Sequence, residues 1–274
     1  MLANISGLGT LWSFKFFEAY DSTVIRNFVE QALADFEAKY SRFKSNSTLS
    51  RLNRTKYLAN PNPELIELLD IARKYFDLTQ GAFNVATEVH QRAQGYDAAY
   101  SFKPRPELNP LTLPLANALT FNSREISLHP QASLDFGGLG KGYLIDKLAK
   151  ALQTKFGLRY FIINGGGDLY VTSNFGQPVK VHLQDPRARN RSLGEISLRN
   201  QALGASSPHV RRWGLHTHLL DPANPTRQVT ASAFVIAPKA VDADVLATIA
   251  TLVPEKTFSA IIRDSLEVRF FRID

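Results

Sequence analysis

A glycine-rich segment near the middle of the chain constrains the fold more than any other: residues 133 to 147 read S-L-D-F-G-G-L-G-K-G-Y-L-I-D-K. We interpret Ser133 and Leu134 as the end of a strand. The turn that follows contains Gly137, Gly138, Gly140 and Gly142. Beyond the turn, apolar residues recur at helical spacing, namely Leu144, Leu148, Ala151 and Leu152. The pattern predicts a glycine-rich turn that opens a helix.

The start of this helix is a candidate anion site. Its first backbone N–H groups have no partner within the helix and lie at the positive end of the helix dipole, and Lys141 adds a full charge. The order of the glycines matches neither a P-loop nor a dinucleotide-binding fingerprint. Two interpretations follow, a phosphate site or a glycine-rich packing turn beneath a sheet.

Composition sets the broad class. The chain has 274 residues, of which 44% are hydrophobic and 21% charged, as expected for a globular protein with a substantial core. The net charge of +7 favours anionic partners without naming one. The chain has no cysteine, which excludes disulfides, thiolate chemistry and lipid-modified cysteines.

Neither a membrane segment nor an export signal is evident. No stretch approaches the roughly 18 apolar residues that a transmembrane helix needs, and the N-terminal residues resemble a first strand more than a signal peptide. We expect a soluble cytoplasmic protein with no transmembrane segment, although a removed export signal would leave no trace.

The remaining elements follow from hydrophobic periodicity and turn residues. Predicted helices are one capped by Asp21 or Ser22, Pro63 to Thr79, and Val241 to Leu252. Predicted strands are Leu11 to Phe17, Tyr160 to Ile163, Leu169 to Thr172, Val179 to Leu183, Glu195 to Leu198, His216 to Leu220 and Ala231 to Ile236, with a terminal hairpin of Ser259 to Ile262 and Val268 to Phe271. Predicted irregular segments are Ser41 to Asn53, the prolines from Pro104 to Pro114, and the arginine-rich turn Arg187 to Arg191. Strands outnumber helices and run consecutively, so the predicted class is α+β with mostly antiparallel sheets and packed helices.

Two side chains on the predicted helix 241–252 are candidate metal ligands. Asp244 and Thr248 lie four residues apart and share one helical face. A carboxylate and a hydroxyl beside phosphate oxygens are the hard ligands that Mg²⁺ accepts. The same pair is also compatible with an ordinary surface or capping feature.

His216 and His218 would point to the same side of a strand. A neutral imidazole there could accept a proton from a hydroxyl or orient a phosphate. The alternative is a pair of partly exposed strand residues. A zinc site is disfavoured because no cysteine or third well-spaced histidine completes a ligand set.

Six ordered segments carry a resemblance to a known family. They are S-N-S-T-L-S-R-L-N (45–53), T-Q-G-A-F-N (79–84), L-D-F-G-G-L-G-K-G-Y-L-I-D (134–146), I-N-G-G-G-D (163–168), H-L-L-D-P (218–222) and D-A-D-V-L-A-T (242–248). In these segments the chain resembles the ApbE family of flavin transferases. The resemblance implies a single ApbE-like domain over residues 1–274, with the option of two lobes and FAD in the cleft between them.

The resemblance also implies a reaction and a set of site residues. The implied reaction transfers FMN from FAD to a serine or threonine hydroxyl of an acceptor protein, requires Mg²⁺ and releases AMP. The implied base is His218, with Asp244 as the rival, and the implied metal ligands are Gly138, Asp244 and Thr248. The implied FAD-binding residues are Tyr40, Phe83, Gly137, Lys141, Asn164, Gly165, Gly166 and Asp168.

Three departures from the family pattern keep other functions open. Asn84 stands where the family usually has aspartate, Ser206-Ser207 replaces Ser-Gly, and Asn224-Pro225 replaces Thr-Gly. Loss of a glycine that permits positive φ would remodel those loops. The alternatives are hydrolysis of FAD to FMN and AMP, and non-catalytic FAD binding. Nucleic-acid binding is not expected, because basic residues are scattered and no recognition motif accompanies them.

Overall fold

The computed structural model of the chain describes residues 1–108, 110–173, 176–188, 190–265 and 267–274. The helices are α1 (Ser22–Tyr40), α2 (Thr48–Thr55), α3 (Pro63–Leu78), α4 (Glu88–Ala93), α5 (Leu115–Ala118), α6 (Gly140–Phe156), α7 (Ala240–Leu252) and α8 (Glu255–Ile261), with a 3₁₀ turn at Pro106–Leu108. The strands are β1 (Leu2–Gly7), β2 (Thr10–Phe16), β3 (Tyr57–Ala59), β4 (Leu119–Phe121), β5 (Glu125–Leu128), β6 (Tyr160–Gly165), β7 (Asp168–Ser173), β8 (Val179–Gln184), β9 (Ser192–Leu198), β10 (Gln201–Ser206), β11 (Arg212–Trp213), β12 (His216–Thr217), β13 (Ser232–Ala237) and β14 (Arg269–Ile273).

A seven-stranded sheet forms the centre of the molecule, in the order β1-β2-β6-β7-β10-β13-β14. Neighbouring strands pair antiparallel throughout this sheet. Three smaller sheets are also antiparallel. The predicted α+β class with mostly antiparallel sheets is confirmed.

The two faces of the large sheet are covered differently. One face packs on helices α1, α6 and α7, and its cluster includes the fully buried Trp12, Phe14 and Phe161. The other face packs on the β8–β9 hairpin, through residues such as Leu183 and Leu198. Alternation of buried side chains along the strands supplies both faces with apolar surface.

Helix α7 lies unusually close to its neighbours on two sides. A Cβ on Gly142 of α6 would overlap the carbonyl of Ala240, and a Cβ on Gly204 of β10 would overlap the carbonyl of Ala243. Asp146 of α6 accepts hydrogen bonds from the N–H groups of Ala240 and Val241, at 2.8 and 2.9 Å. These contacts fix the start of α7 against α6.

Several predicted elements are confirmed with small shifts of their ends. Asp21 caps α1 by accepting from the N–H groups of Thr23 and Val24, both at 3.0 Å. The helix predicted from Pro63 is α3, and the one predicted from Val241 is α7. Among the described residues, no helix is both long and apolar enough to cross a bilayer.

The segment predicted as a loop at Ser41 to Asn53 was only partly right, because its second half begins helix α2. Ser47 caps this helix by accepting from the N–H of Ser50 at 2.9 Å. Leu49 and Leu52 are fully buried. These two apolar residues at helical spacing dock the short capped helix, whose Arg51, Arg54 and Thr55 side chains are exposed.

The prediction that Ser133 and Leu134 end a strand was wrong. They lie in an irregular segment before the glycine turn. The side chain of Asn53 replaces a strand partner there, since it accepts from the N–H of Leu134 at 2.7 Å and donates to its carbonyl at 2.9 Å. Because the Asn53 side chain bonds both the N–H and the carbonyl of Leu134, it replaces the pair of hydrogen bonds that a neighbouring β-strand would form.

The predicted terminal hairpin was also wrong. Residues 255–261 form helix α8 after Pro254, with Phe258 fully buried. Strand β14 pairs instead with β13 as the edge of the large sheet. Arg189, within the predicted turn Arg187 to Arg191, lies outside the described residues.

Candidate active site

A cleft of about 400 Å³ lies where the glycine turn, the start of α6, the end of α1 and helix α7 meet. Its walls bring together residues far apart in the sequence, including Tyr40, Phe83, Gly138, Lys141, His218, Asp244 and Thr248. The antiparallel sheet places the β10 end and the β6–β7 turn beside the same opening. Most residues predicted for the site therefore face one space.

Lys141 is held between two carboxylates at the floor of the cleft. Its Nζ lies 2.6 Å from Asp168 Oδ2 and 3.3 Å from Asp244 Oδ1. Both aspartates are almost fully buried, at 2% and 4% exposure. Asp244 also accepts from the N–H of Gly142 at 2.9 Å, and Asp168 accepts from the N–H of Ala205 at 2.9 Å. The helix start thus presents one lysine whose position is fixed from both sides.

The pKa values of this cluster follow from burial and charge. Burial alone would lower the pKa of Lys141, but the charges of Asp168 and Asp244 outweigh burial and raise it. Burial raises the pKa of Asp244, and the negative charge of Asp168 raises it further. The charge of Lys141 and the hydrogen bond from the N–H of Gly142 lower this pKa, but their effect is smaller. Lys141 therefore stays charged at neutral pH, where its ammonium is paired with both carboxylates.

Oxygen donors for a cation lie on the same wall. Asp244 and Thr248 are one turn apart on α7, and a Cβ on Gly138 would lie 3.9 Å from the Thr248 hydroxyl. That hydroxyl makes no hydrogen bond to any other described residue. In the described part of the chain, no group of three or more His, Cys, Asp or Glu side chains is placed to hold a metal. A carboxylate, a free hydroxyl and a backbone carbonyl nevertheless fit the hard cation Mg²⁺.

Asp135 and Arg42 support the glycine turn. Asp135 accepts from the N–H of Gly137 at 2.9 Å, and its other carboxylate oxygen lies 3.1 Å from the Nε of Arg42. The guanidinium of Arg42 is buried between the rings of Phe43 and Tyr96, at 4.2 and 4.7 Å from their centres. This buried arginine was missed from the sequence, because no local pattern distinguishes it from surface arginines.

His218 faces the cleft from the segment after β12. Its Nδ1 lies 3.4 Å from the carbonyl oxygen of Arg211, so Nδ1 carries the proton and Nε2 keeps its lone pair. Burial lowers the pKa of His218 to about 4, and the charges of Arg211 and Lys141 act in the same direction. The imidazole is therefore neutral at physiological pH.

The predicted strand from His216 to Leu220 covers only His216 and Thr217. The expectation that both histidines point to the same side of a strand stays a prediction. His216 lies near the ring of Trp213, at 6.2 Å between centres, whereas His218 lines the cleft.

The glycine run of the β6–β7 turn is divided between two spaces. Gly166 lines the cleft, but Asn164 lines an adjoining hollow, and Gly165 packs on the ring of Trp12. The side chain of Asn164 accepts from the N–H of Gly167 at 3.0 Å. Asn164 and Gly165 thus shape the turn beneath Gly166 without reaching the cleft wall.

Tyr40, Phe83 and Gly137 also line the cleft. The Tyr40 hydroxyl lies 2.9 Å from both Asn62 Oδ1 and Glu64 Oε2, and it can donate its one proton to either oxygen. Phe83 packs within 3.2 Å of the Cβ position of Gly138. A side chain on Gly138 would therefore displace this ring.

The three departures from the family pattern are accommodated locally. Asn84 donates to the carbonyl of Leu113 at 3.1 Å and accepts from the N–H of Ala86 at 2.8 Å. The Ser207 hydroxyl bonds the Ser232 hydroxyl at 2.9 Å. Ser207 and Pro225 stand where the family has glycine, and neither is among the described residues with positive φ. These loops are built without the conformation that a glycine would permit.

The fold is that of the ApbE flavin transferase structures. The structure superposes on the ApbE protein of Thermotoga maritima with a TM-score of 0.85, covering 98% of this chain and 92% of that one at 20% identity. It superposes on the flavin transferase ApbE of Vibrio cholerae with a TM-score of 0.81, covering 99% and 92% at 21% identity.

The family model described as ApbE family matches residues 8–270, and the chain belongs to that family. A relative from Haemophilus influenzae, named FAD:protein FMN transferase, is 25% identical over 245 residues, covering 80% of this chain and 70% of that protein. A relative of the same name from Escherichia coli K12 is 22% identical over 293 residues, covering 95% and 81%. The resemblance stated from the sequence is confirmed.

Proposed function

We propose that this chain is a Mg²⁺-dependent FAD:protein FMN transferase, which attaches FMN to a serine or threonine hydroxyl of an acceptor protein and releases AMP. The observation that carries the proposal is the convergence of Lys141, Asp244, Thr248, Gly138 and His218 on one cleft. The names of the relatives in the same family support the choice of FAD as substrate. Residues 1–274 act as one domain, with FAD in the cleft.

The diphosphate of FAD binds at the start of α6. The ammonium of Lys141 and the backbone N–H groups at the N-terminus of α6 neutralise its oxygens. Gly137 and Gly166 let the backbone approach closely, since neither has a Cβ. Phe83 and the ring of Tyr40 provide apolar surface for the flavin or adenine ring.

Mg²⁺ is held by the side chains of Asp244 and Thr248 and by the carbonyl of Gly138. When bound there, the ion supplies charge stabilisation to the diphosphate and to the departing AMP. Asp168 keeps Lys141 in place beside this site, because its carboxylate is buried 2.6 Å from the ammonium.

In the transfer step, the acceptor oxygen forms a bond to the phosphorus of the FMN half, and the bond from that phosphorus to the bridging oxygen breaks. The bridging oxygen leaves with AMP, and the hydroxyl proton passes to a base. His218 is the first choice for this base, because its neutral form exposes Nε2. Asp244 is the rival, although its oxygens already accept from Lys141 and Gly142.

The test combines FAD, Mg²⁺ and a candidate acceptor domain, and follows AMP release and the mass of the acceptor. Transfer requires AMP and an FMN increment on the acceptor in equal amounts. AMP and free FMN without an acceptor would instead indicate FAD hydrolysis. Tight FAD binding without AMP at any pH, unchanged in Asp244→Ala, would indicate a non-catalytic binding protein and would contradict the proposal.

A further inference from the structure

An exposed apolar and aromatic surface lies at the mouth of the cleft. We call it the rim and define it as Tyr100, Phe102, Val210, Trp213 and Leu215. Tyr100, Phe102, Val210 and Leu215 are 40%, 41%, 58% and 67% exposed. Apolar side chains that cluster in solvent beside a site, instead of standing alone, mark an interaction surface.

The backbone of the rim is held in an unfavourable conformation. Tyr100 and Phe102 both have φ of 50°, a region that non-glycine residues rarely adopt. Asp97 maintains this conformation, because its carboxylate accepts from the N–H of Ser101 at 2.9 Å and from the Ser101 hydroxyl at 2.6 Å. The surrounding residues hold this strained backbone in place, yet the rings of Tyr100 and Phe102 stay in solvent. This combination suggests that the two rings have a function.

The rim carries uncompensated positive charge. The guanidinium of Arg211 donates to neutral oxygens, the Tyr96 hydroxyl and the carbonyl of Gly9. Arg212 donates to the carbonyl of Gly214 at 3.3 Å. Neither arginine forms an ion pair with any carboxylate in the described ranges. A partner with Asp or Glu side chains would therefore complement this surface.

The rim continues into the cleft without interruption. Tyr100, Val210 and Arg211 line the same cleft as His218 and Asp244. A polypeptide that lies on the rim can therefore extend a side chain inward to the proposed base.

We propose that the rim is the docking surface for the acceptor polypeptide, and that it selects a segment with an apolar side chain flanked by Asp or Glu. The proposal rests on the proposed function, because it concerns the acceptor of that reaction. A single-stranded nucleic acid fits less well, since the rings stack on one another. Tyr100 stacks on Phe43 at 4.8 Å and Trp213 on Tyr96 at 5.5 Å, so few ring faces are free for bases.

Trp213 provides a direct reporter of docking. The chain has two tryptophans, and Trp12 is fully buried in the sheet. A change in tryptophan emission on titration with a peptide therefore reports the rim. The probes are a short threonine peptide with Leu, Asp and Glu near the threonine, the same peptide with Lys in place of the acids, and an oligothymidylate.

We expect the acidic peptide to bind and shift the emission, and the basic peptide to bind at least about tenfold more weakly. Leu215→Asp and Arg212→Glu should each weaken the acidic peptide about tenfold. The matched surface controls, Val24→Asp on α1 and Arg124→Glu on the β4–β5 turn, should leave its affinity unchanged. Neither Leu215 nor Arg212 lines the cleft, so FAD affinity should be the same in all four variants.

Equal binding of the acidic and basic peptides would overturn the proposal, as would acidic-peptide binding that Leu215→Asp and Arg212→Glu leave intact. Displacement of the peptide by oligothymidylate, with tighter binding of the oligonucleotide, would also overturn it. FAD affinity is measured separately by flavin fluorescence. If the wild type does not bind FAD, the proposed function is refuted. If it binds FAD but does not distinguish the acidic from the basic peptide, only the proposal that the rim is the acceptor docking surface is refuted.

Discussion

Lys141 neutralises two buried carboxylates at the floor of the cleft. Its ammonium is the nearest cation to two buried carboxylates, Asp168 and Asp244. Replacement by Met would leave both carboxylates buried without their counter-ion. We expect Lys141→Met to lower the free energy of unfolding by about 3 kcal/mol at pH 7, measured by urea denaturation.

Lys147 offers the control for this variant, because it lies on the same helix and pairs with Glu64 at the surface. Its side chain is 49% exposed. Lys147→Met should change the free energy of unfolding by less than about 1 kcal/mol. Equal losses in the two variants would show that the cleft cluster does not differ from a surface pair.

His218 gives a pH-dependent contribution to stability whose sign is fixed by its pKa. Burial lowers that pKa to about 4 in the folded protein, while the unfolded chain retains a value near the ordinary 6.5. Between those two values the unfolded state binds the additional proton. Stability should therefore fall as the pH decreases from about 6.5 to about 4, by up to about 3 kcal/mol from this residue.

The measurement compares wild type with His218→Gln across that pH range. Burial raises the pKa of Asp146 to about 6, so Asp146 has the opposite pH dependence and only the difference between the two proteins isolates His218. Proton NMR should also show the His218 ring unprotonated at pH 6. A ring that titrates near 6.5 would contradict the assignment of a dry, neutral imidazole.

At the scale of elements, the packing of α6 against α7 positions the two side chains proposed as Mg²⁺ ligands. Asp146 of α6 caps α7, which carries Asp244 and Thr248. We expect Asp146→Ala to lower the free energy of unfolding by about 1 to 2 kcal/mol and also to weaken Mg²⁺ binding, measured by calorimetry. The stability loss follows from two unpaired N–H groups, and the weaker binding from a displaced first turn.

Asp21 provides a matched cap, since it accepts two N–H groups at the start of α1, away from the cleft. Asp21→Ala should reduce stability by a similar amount and leave Mg²⁺ affinity unchanged. Equal Mg²⁺ affinity in Asp146→Ala and wild type would refute the positioning role of Asp146.

The helices with strong periodicity could be predicted from the sequence, and the elements set by tertiary contacts could not. The cap at Asp21 and the proline at the first position of α3, Pro63, are local signals, so α1 and α3 were found with nearly correct ends. Ser259 to Ile262 were predicted as a strand, but residues 255–261 form helix α8, and the buried Phe258 holds this helix against the core. The sequence contains no signal for that docking.

The same distinction holds for the site. Lys141, Asp244 and Thr248 lie in ordered motifs, and the cleft brings them together as expected. The partnership of Asp168 with Lys141 was not expected, because the glycine run before Asp168 leaves the direction of strand β7, which Asp168 begins, undetermined by the sequence. Arg42 and Arg211 owe their roles to packing on Tyr96, more than fifty residues from either, and only the fold reveals this.

At the scale of the whole molecule, FAD should stabilise the folded state by linkage. At 100 times its dissociation constant, a ligand that binds only the folded state adds about 2.7 kcal/mol. Because the proposed Mg²⁺ ligands and the proposed diphosphate site line the same cleft, we expect removal of Mg²⁺ with EDTA to reduce the FAD-induced rise in melting temperature. In Asp244→Asn, the FAD-induced rise in melting temperature should be as small in the presence of Mg²⁺ as it is in its absence.

The control for this experiment is the melting temperature without FAD, which EDTA should leave nearly unchanged. The same FAD-induced rise in the presence and absence of Mg²⁺ would contradict a shared site. Calorimetric titration of Mg²⁺ in the presence of FAD then reports the coupling from the other direction, since linkage between two ligands is reciprocal.

The glycines packed against α7 also determine whether this helix can unfold separately from the rest of the core. Gly142 and Gly204 allow α6 and β10 to lie against the helix backbone, and most α7 side chains are buried. A helix enclosed in this way cannot fray alone, so its amide protons should exchange with solvent only when the entire core is disrupted. The cleft would then not unfold separately from the rest of the protein, and proteases or chaperones would encounter either the fully folded protein or the unfolded chain.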